Sequence, residues 1–209
     1  MIKVHHLNNS RSHRVLWLLE ELGVPYEIVS YKRDLMTRLA PPELKKVHPL
    51  GKSPVVTDGD LVVAESGAII EYLTKTHGKG KLWPADGSPN WLAHTHWMHF
   101  AEGSAMFPFL LALYAGMLGE NAAPLRPRIE GEIANHLSYM DAALAKQDYF
   151  AGNELTAADI QMSFILEVAD TSGRLKDYPR LTALLKRLRE RPAYKRAVDK
   201  GGPLELIRR

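Results

Sequence analysis

The segment from His48 to Ser66, HPLGKSPVVTDGDLVVAES, constrains the fold more than any other part of the chain. Two β-branched runs, Val55 to Thr57 and Leu61 to Ala64, flank Asp58-Gly59. An Asp-Gly pair between such runs is a strong hairpin signal, because glycine accepts the positive φ that a tight turn requires. Pro54 stands at the entrance of the first run. It has no N–H to give to a ladder, so it belongs at a strand entrance or in a special turn. A cis Ser53-Pro54 bond fits that position, although only about 5–6% of X-Pro bonds are cis. After the hairpin, Ile69, Ile70, Tyr72 and Leu73 follow Glu65-Ser66-Gly67 at helical spacing. This predicts a helix from Gly67 to His77 with Ser66 as its N-cap. The free N–H groups of such a helix start favour an anion.

The hairpin needs a sheet to join, and the preceding residues supply one. Lys3 to Leu7 reads as a strand that ends in the polar turn Asn8-Asn9-Ser10. From Arg14 to Leu22, the residues Val15, Leu16, Leu18, Leu19 and Leu22 mark one helical face, and Gly23 and Pro25 stop it. Tyr26 to Tyr31 alternates as a second strand. Strand, helix and strand with short joins imply a parallel pair with a right-handed crossover. Pro41 to His48 leaves room for a turn or two of helix. The order β-α-β, β-β-α is that of a thioredoxin-like α/β domain, placed at residues 1–80.

Past that point the pattern changes. The tract from Gly78 to Pro89 is dense in Gly, Pro and Lys, so residues 81–88 read as a linker. Residues 89–209 then have helical period throughout and form an all-helical domain. Ser88 and Pro89 suit an N-cap and first helical residue. Pro108 is expected to kink the first long helix, and a second helix spans Arg126 to Lys146. Thr156-Ala-Ala-Asp159 is a capping-box pattern that opens a third, with Leu155 and Ile160 spaced as a hydrophobic staple. Pro179 opens a fourth and Pro192 a short fifth.

Composition closes off several chemistries. The 209 residues are 45% hydrophobic and 24% charged, ordinary for a globular protein. With 27 Lys plus Arg against 24 Asp plus Glu, the net charge is +3, which draws small anions weakly and argues against nucleic acid. The densest basic stretch, Lys186 to Arg191, contains Leu188 and Glu190 and reads as a solvated helix face; Arg208-Arg209 reads as a frayed end. There is no cysteine, so disulfides, zinc thiolates and a protein thiol nucleophile are excluded. The N-terminus has no signal-peptide core, and no window looks like a membrane span, so a cytoplasmic protein without a membrane partner is expected. His94, His96 and His99 do not share a helix face, and His5 and His6 alternate across a strand, so no metal site is expected from either group.

A thioredoxin-like domain followed by a helical one, carrying Ser10-Arg-Ser-His-Arg14-Val-Leu-Trp-Leu-Leu-Glu-Glu-Leu-Gly, Pro49-Leu-Gly-Lys-Ser-Pro-Val-Val, Glu65-Ser-Gly-Ala-Ile-Ile-Glu-Tyr-Leu and Leu155-Thr-Ala-Ala-Asp159, resembles the cytosolic glutathione transferases over the whole chain. The absence of cysteine and of a tyrosine after the first strand makes the resemblance closest to serine-type, bacterial-like members. It implies a homodimer that binds glutathione and a small electrophile, uses no metal, and has a cis-proline at Pro54. It further implies that Glu65 meets the ammonium and Ser66 the carboxylate of the γ-glutamyl end. Ser53, where valine is usual, would pair its main chain with the cysteinyl part like an added strand. Lys52 would reach the glycyl carboxylate with His48 beside it, though asparagine is frequent at the latter position.

Such chemistry needs a thiolate, and a thiol with pKa near ~8.5 is mostly protonated at neutral pH. A hydroxyl hydrogen bond to the charged sulfur is worth about 1.5–3 kcal/mol, enough to lower that pKa by about one to two units. The resemblance implies Ser10 as the donor, because it stands four residues before Arg14, where serine-type members of the family carry their active serine. Ser12 and the amide of Asn9 are the alternatives, and a plain N-cap role for Ser10 is the structural one. Arg11 is expected near the cleft or at a solvated helix start. Met106, Phe107, Phe109 and Tyr114 are either core or the lining of an electrophile pocket, and Asp159 is structural. Two rivals share these residues: a glutathione-dependent disulfide or peroxide reductase, and a non-catalytic binding or scaffold protein.

Overall fold

In the computed structural model, which describes residues 1–34 and 36–206, Val4 pairs with Val56 and His5 with Val55 at the centre of a four-stranded sheet. The strands are β1 (Ile2–Leu7), β2 (Tyr26–Tyr31), β3 (Val55–Asp58) and β4 (Leu61–Ala64), in the order β2-β1-β3-β4. β1 and β2 are parallel and the other neighbours antiparallel, as the βαβ and hairpin patterns require. Asp58 pairs with Leu61, so the two-residue turn is Gly59-Asp60, one position later than expected. Gly59 takes the positive φ, 58°, while the Asp58 carboxylate is held by the Tyr72 hydroxyl at 3.0 Å and His77 Nε2 at 2.9 Å.

Helix α1 (Ser12–Leu22) is the crossover, α2 (Leu44–Val47) is a single turn, and α3 (Ser66–His77) follows the hairpin. Val15, Leu16, Trp17, Leu18 and Leu19 of α1 are all fully buried. So many buried faces on one helix require partners on more than one side. The sheet and α3 supply part of the cover, and helix α9 (Pro192–Gly201) supplies the rest. Tyr194 of α9 sets its ring edge-on to Trp17 at 5.3 Å, and Arg191 grips Glu21 through two hydrogen bonds of 2.5 and 2.9 Å. Arg196 and Lys200 both bind Glu20.

By these contacts the chain groups as residues 1–85 with 187–206, and residues 86–186. The sequence pattern places α9 with the helical domain of residues 89–209; the long-range pairing of α9 with α1 puts it in the first unit instead. The expected fraying of Arg208-Arg209 lies outside the described residues.

The second unit is helical. It contains α4 (Trp91–Phe100), α5 (Met106–Met117), α6 (Arg126–Ala143), α7 (Ala157–Thr171) and most of α8 (Pro179–Glu190). The Trp91 N–H reaches the Ser88 carbonyl at 3.1 Å, so α4 starts after Asn90 and Ser88 contributes main chain rather than a side-chain cap. Between α4 and α5, residues Ala101–Ala105 form a π-helical segment. Pro108 has no N–H for the carbonyl four residues back, that of Ser104, and Ser104 lies within this irregular turn. Helix α6 closes at Ala143 rather than Lys146, because the Leu144 and Ala145 N–H groups turn back to Asp141 and Ala142 at 3.2 and 3.1 Å. The basic stretch is a solvated face: Lys186 and Arg189 are exposed while Leu188 is buried.

One sequence expectation is corrected here. The continuous run Trp91–Met117, at mean hydropathy 1.3, is long and apolar enough by length and composition to cross a membrane. Interspersed His and Thr hide this in the sequence. In the fold the run packs against α6 and α7 and buries Trp97, Met98, Met106 and Phe109.

Candidate active site

The site residues expected from the sequence fall in three loops of the first unit. The first loop leaves β1. Asn9 adopts a left-handed φ of 53°, which asparagine tolerates better than most residues. Its carboxamide oxygen accepts the Glu205 N–H at 2.7 Å. Arg33 straps the same loop from below, donating to the carbonyls of Asn8 and Asn9 at 3.2 and 3.3 Å.

Ser10 follows, nearly buried at 4% exposure. Arg11, not Ser10, holds the N-cap position of α1, but Ser10 Oγ accepts the Ser12 N–H at 3.2 Å and so satisfies the first N–H of the helix. That bond also starts the helix at Ser12, two residues before the expected Arg14. The same Oγ lies 2.7 Å from Ser12 Oγ. Ser12 Oγ in turn is 2.8 Å from His6 Nδ1 and 3.2 Å from the Leu7 carbonyl, and His6 Nε2 is 2.9 Å from the Gly201 carbonyl. Ser12 has no exposed surface. Of the two serines, Ser10 therefore stands nearer the outside.

The second loop enters β3. The Ser53-Pro54 bond is cis, as expected. Ser53 Oγ donates to the His5 carbonyl at 2.8 Å and accepts the Leu7 N–H at 3.2 Å. The Ser53 hydroxyl thus ties the entrance of β3 to two main-chain groups of β1, which gives a reason for serine where valine is usual. Among the described residues the main-chain N–H and C=O of Ser53 make no hydrogen bond, leaving a short strand edge open.

The third loop opens α3. Glu65 is exposed and held at φ 69°, ψ 122°, and α3 begins at Ser66 without a side-chain cap. This corrects the expectation that Ser66 is the N-cap. Glu65 occupies that position, its carbonyl accepts the Ile69 N–H at 2.9 Å, and Ser66 is the first helical residue. Ser66 Oγ accepts from Arg14 Nη1 at 3.2 Å, and Arg14 is 1% exposed. A buried guanidinium therefore lies beneath a helix start.

These bonds tie the loops together: Leu7 joins the Ser10 loop to Ser53, and Arg14 joins α1 to Ser66. Lys52, exposed, and His48, half-buried at the end of α2, make no hydrogen bond or ion pair to this group among the described residues. Arg11 is half-buried beside Ser10. The sequence reading gave His6 and Gly201 no part in the site, and used Arg14 only as a spacing mark.

The other candidates separate. Met106 and Phe109 are core, whereas Phe107 and Tyr114 are each 59% exposed. Phe107 borders a cavity of about 400 Å³ within the second unit, with Pro108, Leu111 and Ile129. His96 pairs with the Tyr139 hydroxyl at 3.0 Å, while His94 is buried and His99 exposed. Asp159 completes a capping box with Thr156 and also accepts the Phe150 N–H at 2.8 Å.

The glutathione S-transferase N-terminal domain family matches residues 1–75, and the C-terminal domain family matches residues 95–192. The chain belongs to the glutathione S-transferase family. It is 38% identical to glutathione S-transferase 3 of Schizosaccharomyces pombe, over 96% of this chain and 88% of that protein. The crystal structure of a glutathione S-transferase from Actinobacillus pleuropneumoniae, 36% identical, superposes with a TM-score of 0.89 over 98% of this chain and 95% of that one. A sphingomonad glutathione S-transferase, solved in complex with glutathione, is 26% identical with a TM-score of 0.80, covering 96% of this chain and 98% of that one. The family's first domain is the thioredoxin-like sheet with its helices, and the second is helical, as in this chain.

Proposed function

We propose that this protein is a glutathione transferase of the serine type that ionises bound glutathione and directs its thiolate at an electrophilic, largely apolar co-substrate. Residues 1–85 with 187–206 hold the tripeptide, and the helical unit supplies the electrophile pocket. The observation that carries this reading is the open main-chain edge of Ser53 beside the Ser10 loop. A tripeptide laid along that edge as an added strand brings its central sulfur toward Ser10. Its γ-glutamyl end then meets the Glu65 carboxylate, which suits an ammonium, and the uncapped start of α3, which suits a carboxylate. Lys52, on the exposed approach to Ser53, suits the glycyl carboxylate, with His48 nearby in the chain.

The protein then works by position and charge rather than by a covalent intermediate. A hydrogen bond from Ser10 to the thiolate contributes about 1.5–3 kcal/mol. The dipole at a helix start adds up to about 1 kcal/mol. Together they lower the thiol pKa enough to keep a large fraction ionised at neutral pH. The attack then transfers the sulfur's electron pair to the electrophilic carbon and expels the leaving group.

Calorimetry with glutathione, with the ultraviolet absorbance of the bound thiolate followed against pH, tests this reading. Wild-type protein binds at millimolar concentration or below and ionises the thiol below its free pKa; Ser10→Ala binds equally well but leaves the thiol protonated. Indifference to glutathione would overturn it. If Ser10→Ala retains the ionised thiol, the donor is Asn9 or Ser12. Parallel assays with an aryl halide, a hydroperoxide and a mixed disulfide separate transfer from reduction. We place the enzyme in the cytoplasm as a homodimer, a state that light scattering reads directly.

A further inference from the structure

The hydroxyl chain behind Ser10 has more members than a single donor needs. We propose that His6 receives the proton of the glutathione thiol, passed through Ser10 and Ser12. The inference rests on the reading that Ser10 meets the sulfur, and it adds where the proton goes.

The shortest contacts define one pattern of donors and acceptors. The Gly201 carbonyl, 2.9 Å from His6 Nε2, can only accept, so Nε2 carries hydrogen. In neutral His6 the Nδ1 atom is then a bare acceptor; it lies 2.8 Å from the Ser12 hydroxyl, nearer than the competing Leu7 carbonyl at 3.2 Å, and the relay takes the Ser12 hydrogen to point to it. Ser12 has one hydrogen, so its oxygen takes the Ser10 hydrogen across 2.7 Å. In this resting pattern the Ser10 hydroxyl hydrogen points inward, away from any incoming sulfur, and Ser10 offers the cleft a lone pair. A thiol S–H donates to that lone pair. A thiolate, by contrast, needs the Ser10 hydrogen turned outward.

One concerted shift converts the first pattern into the second. The S–H bond breaks and its electron pair stays on sulfur. A hydrogen joins Ser10 Oγ, the Ser10 hydrogen passes to Ser12 Oγ, and the Ser12 hydrogen passes to His6 Nδ1. The products are a thiolate accepting from Ser10 and an imidazolium that donates to Ser12 at Nδ1 and to Gly201 at Nε2. Every hydroxyl keeps one hydrogen, and one proton has moved from sulfur to His6.

The surroundings suit a histidine that starts neutral. His6 is 5% exposed, and burial lowers its pKa, while the bond to the Gly201 carbonyl favours the cation. From α1, His13 faces the same region, itself pushed down to about 4 by burial and then by the charge of His6. From α9 come Tyr194, edge-on to His13 at 5.0 Å, and Lys200, which is engaged by Glu20. From β2 the register partner is Ser30. On β1 itself, His5 is turned to Tyr31 at 3.0 Å and Lys3 to Glu27 at 3.5 Å. Gly201 is required for this approach: a Cβ there would meet Leu16 Cδ1 at 2.3 Å and His6 Cε1 at 3.3 Å. His6 acts through two serines and is in that sense a positioning residue.

The test uses the full chain and its Ser12→Ala and His6→Asn variants, each mixed with glutathione in weak buffer containing a pH-indicator dye. Thiolate absorbance and released protons are counted together. Wild-type protein is expected to release fewer protons than the thiolates it forms, because His6 keeps them. Each variant is expected to release one proton per thiolate and to raise the bound thiol's pKa by about one unit, a tenfold loss of thiolate. Affinity for S-methylglutathione, which has no thiol proton, stays within about twofold, a readout that a merely structural role would move. Ser12→Ala keeps the test intact if His6→Asn fails to fold. One proton released per thiolate in wild type, or a Ser12→Ala variant with the wild-type thiol pKa, would overturn the relay. Absence of any thiolate in wild type would overturn the reading of Ser10 together with it.

Discussion

Two helix starts in this chain are built from similar residues and do opposite things. At the start of α7, Thr156 and Asp159 close a reciprocal capping box, both are buried, and Asp159 also takes the Phe150 N–H. At the start of α3, Glu65 gives no side-chain cap, and Ser66 Oγ takes a bond from Arg14 instead of closing a box. The carboxylate is exposed, the backbone of Glu65 sits at φ 69°, and the first turn has no side-chain cap. A helix start that satisfies itself has no capacity left for a ligand. One left open, at some strain, keeps its N–H groups for an arriving anion.

The largest effect that separates the two comes from Asp159→Ala. It removes the cap, about 0.5–2 kcal/mol, and orphans buried N–H groups at about 1–3 kcal/mol each. A loss of about 3 kcal/mol in urea unfolding is expected, with glutathione affinity of the folded fraction unchanged. A change below about 1 kcal/mol would mean that the box is ornamental.

Acidity sharpens the contrast next. Burial raises the Asp159 carboxyl from its ordinary 3.8 to about 6, with the Phe150 and Thr156 bonds pulling the other way. Between roughly pH 4 and 6 the folded carboxyl keeps a proton that the unfolded one has lost, so this group's contribution to stability falls as pH rises through that window. Relative to Asp159→Asn, which carries no such proton, wild type should gain on acidification by at most about 3 kcal/mol. A gap in unfolding free energy that is flat across the window would refute this.

At the open start the effects move from stability to affinity. Glu65→Gln is expected to weaken glutathione binding about 10- to 100-fold, the range for a hydrogen bond to a charged group. Its urea midpoint should barely move, because the carboxylate is exposed. The smallest expected change belongs to Glu65→Gly, within about 1 kcal/mol of wild-type stability. Glycine takes a positive φ freely but loses more chain entropy on folding, and the two nearly offset. A large loss with Glu65→Gly would mean that the side chain supports the fold.

The same contrast explains what was legible beforehand. The capping box, the hairpin and the βαβ unit are local patterns, so their residues could be read from spacing alone. Ser66 was misplaced by one position because its neighbour Glu65 holds a backbone conformation that no local preference predicts. Ser53 looked like a departure from the usual valine; only the pairing of its hydroxyl with His5 and Leu7 accounts for it. The partnership of His6 with Gly201 joins positions at opposite ends of the chain, and no periodicity encodes such a contact. Likewise the apolar stripe of α5 divided into core and surface only once α6 was in place.

The return of α9 to the first unit also sets a timetable. A ribosome synthesises all of residues 86–186 before it makes the helix that covers the outer side of α1. Until then the nascent sheet keeps Trp17 without its Tyr194 neighbour, and Glu20 and Glu21 without their cations. The later-encoded helical bundle should therefore become protease-resistant first on stalled chains, with the earlier-encoded sheet hardening only after residue 201 has emerged.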